Sequence, residues 1–283
     1  LSADGQHGVS IIWFVGSVFS PYYHWADYRT PEDHVAVNIC LYSPGARRWT
    51  MTERGKGALR RDSTTLQIAR SQLSWQGDAL VLDLDEVSVP LPRRVRGRIT
   101  LHPGALNSRA FAIDGAGAHR WMPIAPSARI EVAMTDPALS WSGHGYFDTN
   151  AGDEPVARSF RSWDWSRTLL GQDTAILYDS VLKTGERVEI ATLFKPDGTT
   201  QDFAPPARHA LPGTFWRVKR QVQAGSTPAL VETLEDTPFY ARSIIRTKLL
   251  GQQGLGMHET LDVGRLDTGL VRCMLPFRMP RRA

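Results

Sequence analysis

The chain has 283 residues, 42% of them hydrophobic, and a formal net charge of +4. That length supplies a sizeable core for one large domain or two smaller ones, and no segment approaches the ~18 uninterrupted apolar residues that a membrane helix needs. Of 33 basic residues 28 are arginine, paired at Arg47-Arg48, Arg60-Arg61, Arg93-Arg94 and Arg281-Arg282 without forming a block; this argues against a nucleic-acid partner and leaves guanidinium forks available for anionic headgroups.

In chain order, the apolar run 11–19 is too short for a span and is broken by Gly16-Ser17, and it shows no signal-peptide pattern. The chain opens on Leu1 rather than Met, so a missing or processed native N-terminus is expected. Next comes Phe19-Ser20-Pro21-Tyr22-Tyr23-His24-Trp25, where Pro21 takes the backbone out of regular strand pairing. Phe19, Tyr22, Tyr23 and Trp25 are expected to line an apolar substrate cavity. Thr30-Pro31-Glu32-Asp33 resembles a helix start, but Val35, Val37, Ile39 and Leu41 alternate strictly and predict a strand. The same period runs through Leu80, Leu82 and Leu84, then Val87, Val89 and Leu91, then Val95, Gly97, Ile99 and Leu101. Gly77-Asp78 is a hairpin signal. Composition shifts near Ala125-Pro126 and Asp136-Pro137, and further strands are predicted at 175–178, 188–194, 215–222, 229–234, 240–249 and 270–277. Cys40 and Cys273 lie far apart in apolar strand-like runs and read as buried free thiols, with a single long-range disulfide as the other reading. Long stretches with a 3.6 period are nearly absent. The expectation is an all-β protein with few short helices, built as barrels or sandwiches, in two β domains spanning residues 1–130 and 131–283.

The richest chemistry straddles the seam, in His119-Arg120-Trp121 and Trp141-Ser142-Gly143-His144-Gly145-Tyr146-Phe147-Asp148-Thr149-Asn150. Alternation puts His119 and Trp121 on one side of an extended segment, and Tyr146 and Asp148 on one side of another. If the pairs meet, an acid, a phenol, an imidazole and an indole share one pocket. The other reading makes Asp148-Thr149-Asn150 a turn, with Asp148 capping its own backbone. A zinc site from His119, His144 and Asp148 lacks compact ligand spacing, so no metal is expected. Asp148, Asp153, Glu154 and Asp164 offer the carboxylates of a glycosidase. Residues 251–256 reverse the dinucleotide-binding spacing, and Ser142 stands at the wrong spacing for a nucleophile elbow. Trp163-Asp164-Trp165-Ser166-Arg167 suits structural packing, with an Arg167–indole cation–π contact as the other option.

Five strings in order, Phe19-Ser20-Pro21-Tyr22-Tyr23, Met51-Thr52-Glu53-Arg54-Gly55, His119-Arg120-Trp121, 142–148 and 163–167, cover most of the first two-thirds of the chain. Together they resemble the carotenoid 1,2-hydratases (hydroxyneurosporene synthases). The resemblance implies two lipocalin-like β-barrels and a cofactor-independent hydro-lyase that adds water across the terminal 1,2 double bond of acyclic carotenoids such as neurosporene and lycopene. It implies Asp148 as proton donor, with His119, Trp121 and Tyr146 around it. A desolvated pocket would hold such an acid protonated by raising its pKa by up to ~3–5 units. A C40 polyene is too long for a small domain, so only an end group need enter. The rest would stay in lipid or in a surface groove, which implies a peripheral protein on the cytoplasmic side of the inner (photosynthetic) membrane. A non-catalytic lipocalin-like carrier of a polyene or lipid, and a pericyclase on the same scaffold, are the alternatives.

Overall fold

A computed structural model describes residues 1–282. It is built mainly of strands, with a few helices of six residues or fewer among the described residues. The chain folds as two compact units. The first holds Leu1–Pro103, Ala128–Tyr146 and the chain from Arg272 onward; the second holds Gly104–Ser127 and Phe147–Val271. The seam expected between 125 and 140 falls inside one long hairpin, strands His119–Asp136 and Ala138–Gly152, with Pro137 at its turn.

The first unit contains a four-stranded sheet in the order Val9–Val15, Val35–Leu41, Arg48–Arg54, Arg281–Arg282. Every residue of Val35–Leu41 is buried, as expected of a strand covered on both faces. A larger sheet runs from the long hairpin through Arg94–Pro103, Ala79–Val87, Ser71–Gln76 and Thr65–Ile68 to Leu59–Arg61. The Gly77-Asp78 turn joins Ser71–Gln76 to Ala79–Val87 as predicted, Gly77 taking the positive φ (64°) that a tight turn requires. In the second unit, a seven-stranded sheet runs Thr200–Asp202, Arg187–Phe194, Asp173–Leu182, Phe160–Leu170, Gln252–Asp262, Tyr240–Leu249, Ala229–Asp236. The pairing orders run as open paths; the fold is all-β, and among the described residues the sheets do not close into hydrogen-bonded barrels.

Strand His119–Asp136 shows how the two units share one chain segment. Its buried residues are His119, Trp121, Pro123 and Ala125, then Pro126, Ala128, Ile130, Val132 and Met134. The inward face changes from odd to even numbers at Ala125-Pro126, next to the point where the chain passes from the second unit to the first. A one-residue phase slip turns the opposite face inward.

Four local expectations are corrected. Residues 270–277 are helical, Gly269–Met274 followed by the turn Leu275–Phe277, because the inward residues Val271 and Leu275 recur at four rather than two. Cys273 is therefore exposed on that helix, while Cys40 is buried in its strand. Within 215–222 only Gln221 and Val222 are in a strand, Gln221–Gln223, which pairs with Arg208–Ala210. The period through Val89 and Leu91 carries no strand beyond Val87; Pro90 lacks the N–H that a ladder needs. Thr30-Pro31-Glu32-Asp33 supplies a single helical turn, Pro31–Asp33, before the strand that alternation predicted.

Candidate active site

In the second unit, alternation along the hairpin strand sends His119 and Trp121 inward and Arg120 outward, where Arg120 forks onto Asp153 at 2.9 Å. The Trp121 indole is fully buried, and its Nε1–H donates to Asp148 Oδ2 at 2.9 Å. Asp148 is half-buried, so it presents its carboxyl group at the edge of a buried ring system. The acid and the indole of the predicted constellation therefore meet directly.

Aromatic side chains form a continuous chain around that pair. Phe111 lies 5.2 Å from Trp121, Trp121 lies 5.6 Å from Tyr178, and Tyr178 lies 6.3 Å from Trp163. Trp163 meets Phe160 edge-on at 5.5 Å, and Phe160 meets the His119 imidazole at 4.8 Å. Centroid spacings in this range are those of favourable offset and edge contacts. Burial pushes the Tyr178 phenol well above its ordinary pKa, and the negative charges of Asp148 and Glu259 add to that shift. Tyr178 is thus held neutral beside the candidate acid.

His119 is buried, and its Nε2 has no hydrogen-bond partner. Glu154 Oε1 lies 3.8 Å away, beyond hydrogen-bond length, and itself accepts from the Ser159 hydroxyl. Desolvation lowers the His119 pKa below its ordinary value, against the raising influence of Asp114, Glu154 and Asp153. The imidazole is accordingly neutral near pH 7 and able to accept a proton. Asp114 anchors the approach to the strand by accepting from the backbone N–H groups of Gly117 (2.7 Å) and His119 (3.0 Å).

Tyr146 precedes Asp148 by two on the same strand, is half-buried, and closes the first unit's share of that strand. Phe19, Tyr22, Tyr23 and Trp25 belong to the first unit, around helix Pro21–Trp25. Ser20 caps that helix by accepting from Tyr23 N–H at 2.9 Å, and Pro21 occupies its first turn. Phe19 packs edge-on against Phe14 at 5.7 Å, Tyr22 against Trp25 at 5.6 Å, and Tyr23 lies 5.0 Å from the His34 ring.

The other carboxylates considered have different partners. Asp153 pairs with Arg120, and Asp164 accepts from the Thr260 hydroxyl. His144 is exposed in the first unit. Among the described residues no group of three or more His, Cys, Asp or Glu is arranged to hold a metal ion. Arg167 donates to the Pro126 carbonyl at 2.9 Å, a packing role for the end of its motif. Sequence reasoning missed Phe111, Phe160 and Tyr178 as members of the ring shell. Phe111 joins through its short pairing with Trp121, and Tyr178 through sheet register opposite Trp165. Residues 175–178 read as a strand but are continuously apolar, so the sequence carries no signal for the side Tyr178 takes or for what it faces.

The carotenoid hydratase family CrtC matches residues 11–283. The chain is 49% identical to the acyclic carotenoid 1,2-hydratase of Thiocapsa roseopersicina, over 99% of this chain and 71% of that one. It is 51% identical to the acyclic carotenoid 1,2-hydratase of Rubrivivax gelatinosus, over 100% and 72%. A crystal structure of an AttH protein from Nitrosomonas europaea superposes with a TM-score of 0.60 at 13% identity, covering 93% of this chain and 89% of that one, and shares the fold. The fold and these relatives define the class as a hydro-lyase on a lipocalin-like all-β scaffold. The chain belongs to the CrtC family of carotenoid hydratases.

Proposed function

We propose that the protein hydrates the terminal 1,2 double bond of an acyclic carotenoid, such as neurosporene or lycopene, with Asp148 as the acid. The observation that carries this reading is the 2.9 Å hydrogen bond from Trp121 Nε1 to Asp148 Oδ2 inside the ring shell. A trisubstituted alkene is a very weak base and needs a proton donor held in fixed geometry. With Oδ2 held by the indole, Oδ1 carries and delivers the proton. The π electrons form the new C–H bond at C2, leaving a tertiary cation at C1. The carboxylate left behind faces that cation, and the indole N–H stabilises the carboxylate.

Water then adds through its oxygen to C1, and the oxonium proton passes to a base, giving a tertiary alcohol with no change in redox state. Tyr146 and His119 orient the water. The neutral imidazole accepts the proton, which returns to Asp148 for the next turnover. Trp121 is a positioning residue, since its ring is fully buried and its N–H is engaged. Phe19, Tyr22, Tyr23 and Trp25 are proposed to guide the polyene. No described helix is long and apolar enough to cross a membrane. A peripheral position on the cytoplasmic side of the inner membrane suits a substrate that resides in lipid.

The test is hydration of lycopene or neurosporene in D₂O by wild type and Asp148→Asn. The expected result is a tertiary alcohol carrying deuterium on the adjacent carbon, with activity reduced at least ~10³-fold in the variant. Equal product from both proteins would move the acid elsewhere. Bound polyene without product from wild type would make the protein a carrier.

A further inference from the structure

The helix Gly269–Met274 and the turn Leu275–Phe277 divide their residues by side. Val271, Arg272 and Leu275 are buried, as is Met279 beyond them. The outward residues are Leu270, Cys273, Met274 and Phe277, at spacings of three and four that form one helical stripe. This stripe is apolar: Leu270 is 74% exposed, Phe277 79% and Met274 39%. A helical segment whose outward face is as apolar as its inward face has a second apolar medium to meet.

From Arg272 onward this segment belongs to the first unit, where it is joined to the aromatic segment 19–29. Arg272 Nη2 donates to the Tyr28 hydroxyl at 3.1 Å, and Met279 packs with Phe19 in one core cluster. Trp25 on the joined segment is 56% exposed. Exposed cations on the two segments, Arg29, Arg278 and Arg282, outnumber their one acid, Asp27, and residues 269–282 contain no acid at all. Arg278 also lies over the Trp49 ring at 4.4 Å, which holds a guanidinium beside the stripe. Exposed Leu, Met, Phe and Trp rimmed by arginine form the composition of a surface that seats in the headgroup layer of an anionic bilayer.

We infer that the stripe Leu270, Met274 and Phe277, with its arginine rim, is the surface by which this protein docks on anionic lipid. The inference deepens the proposed function, in which the polyene stays in the bilayer while one end group is hydrated. The helix lies in the interface plane, its apolar side chains among the acyl ends of the headgroup layer and Arg278 and Arg282 at the phosphates. The patch contributes affinity for the surface and takes no part in the chemistry.

The experiment is flotation of wild type and the triple variant Leu270→Ser/Met274→Ser/Phe277→Ser with phosphatidylcholine vesicles, with and without 30% phosphatidylglycerol. Leu270 and Phe277 are largely exposed and Met274 partly so, and the circular dichroism and Tm of the variant check its fold. Wild type is expected to float with the anionic vesicles and to be released by 0.5 M salt, and the variant to bind them at least ~10-fold more weakly. Hydration of lycopene held in those vesicles should fall in parallel, while hydration of detergent-dispersed lycopene stays at the wild-type level. Equal flotation of wild type and variant would overturn the proposal. So would a wild-type dimer that the variant abolishes in the absence of vesicle binding, because the stripe would then be covered by a second copy. Vesicle binding that depends on the stripe, in a protein that hydrates neither form of lycopene, would uphold the docking surface and reject the proposed reaction.

Discussion

The His119 imidazole is withdrawn from water, with its Nε2 unpaired and its pKa lowered by burial. In the unfolded chain the same group titrates near ~6.5. Below that pH the unfolded chain binds the additional proton, so the stabilising contribution is complete above ~6.5. It is lost progressively as the pH falls through the lowered folded value. Thermal unfolding from pH 8 to pH 5 should show Tm declining on acidification, with a shallower slope in His119→Asn. The hydration rate should decline over the same range, because an imidazolium cannot accept the oxonium proton. A wild-type rate independent of pH down to 5 would remove His119 from the proton path. Trp121 and Asp148 differ from this residue in kind: their relation is a hydrogen bond to a half-buried carboxyl group, which fixes geometry.

At the scale of elements, the long hairpin sets the site by bringing 119–121 beside 148–152. Gly152, which ends its second strand, lies against the imidazole. A Cβ there would stand 2.7 Å from His119 Nδ1 and 3.0 Å from Cε1. Gly152→Ala therefore forces the ring or the strand end to move, an overpacking that costs about 1–3 kcal/mol. A Tm lower by several degrees and a hydration rate reduced about tenfold are expected from unfolding scans and product assays. An unchanged rate with a lowered Tm would restrict the glycine to packing. The seven-stranded sheet adds a second ordered feature: register aligns Tyr178, Trp165, Glu259 and Arg242 on adjacent strands. Arg242, buried, donates to Glu259 at 2.8 Å and pairs with Glu235 at 3.3 Å. Tyr178 is thereby carried at one end of a row whose other end is an ion-paired arginine.

Across the whole chain, the last described residues complete a structure begun by the first. Arg281–Arg282 adds a parallel strand to Arg48–Arg54, and Arg281 reaches Glu53, whose side chain is fully buried beside His34 at 2.9 Å. Arg281 also holds Asp33 at 3.1 Å. Removing one partner from a buried charge leaves it uncompensated, at a cost of about 3–5 kcal/mol, here toward the lower end because Arg281 is partly exposed. Arg281→Ala should lower Tm by roughly 6–12 °C on the scaling for large domains, read by calorimetry; Arg281→Lys, which keeps the charge, should recover part of it. A Tm within a degree of wild type for Arg281→Ala would show that His34 alone suffices for Glu53. The motif around Glu53 thus pins the edge strand of the first unit's four-stranded sheet.

Several features were legible in the residues themselves. Period-two runs such as 35–41 and 95–101, the Gly77-Asp78 turn, and the shared side of His119 and Trp121 follow from local geometry that any strand obeys. The helix at 269–274 is not legible in the sequence, because six residues of mixed apolar character fit either period until a core selects Val271 and Leu275. Tyr178, Phe160 and Phe111 could not be assigned to the site from sequence, since their proximity depends on register between strands remote in sequence. The linear chain therefore determined the all-β class, the residue types of the site and the sides they take along each strand, because alternation is a property of one strand. Tertiary structure alone decided that Asp148 meets the Trp121 indole within a ring shell, and that the C-terminal helix turns its apolar stripe outward, because both depend on what each face packs against.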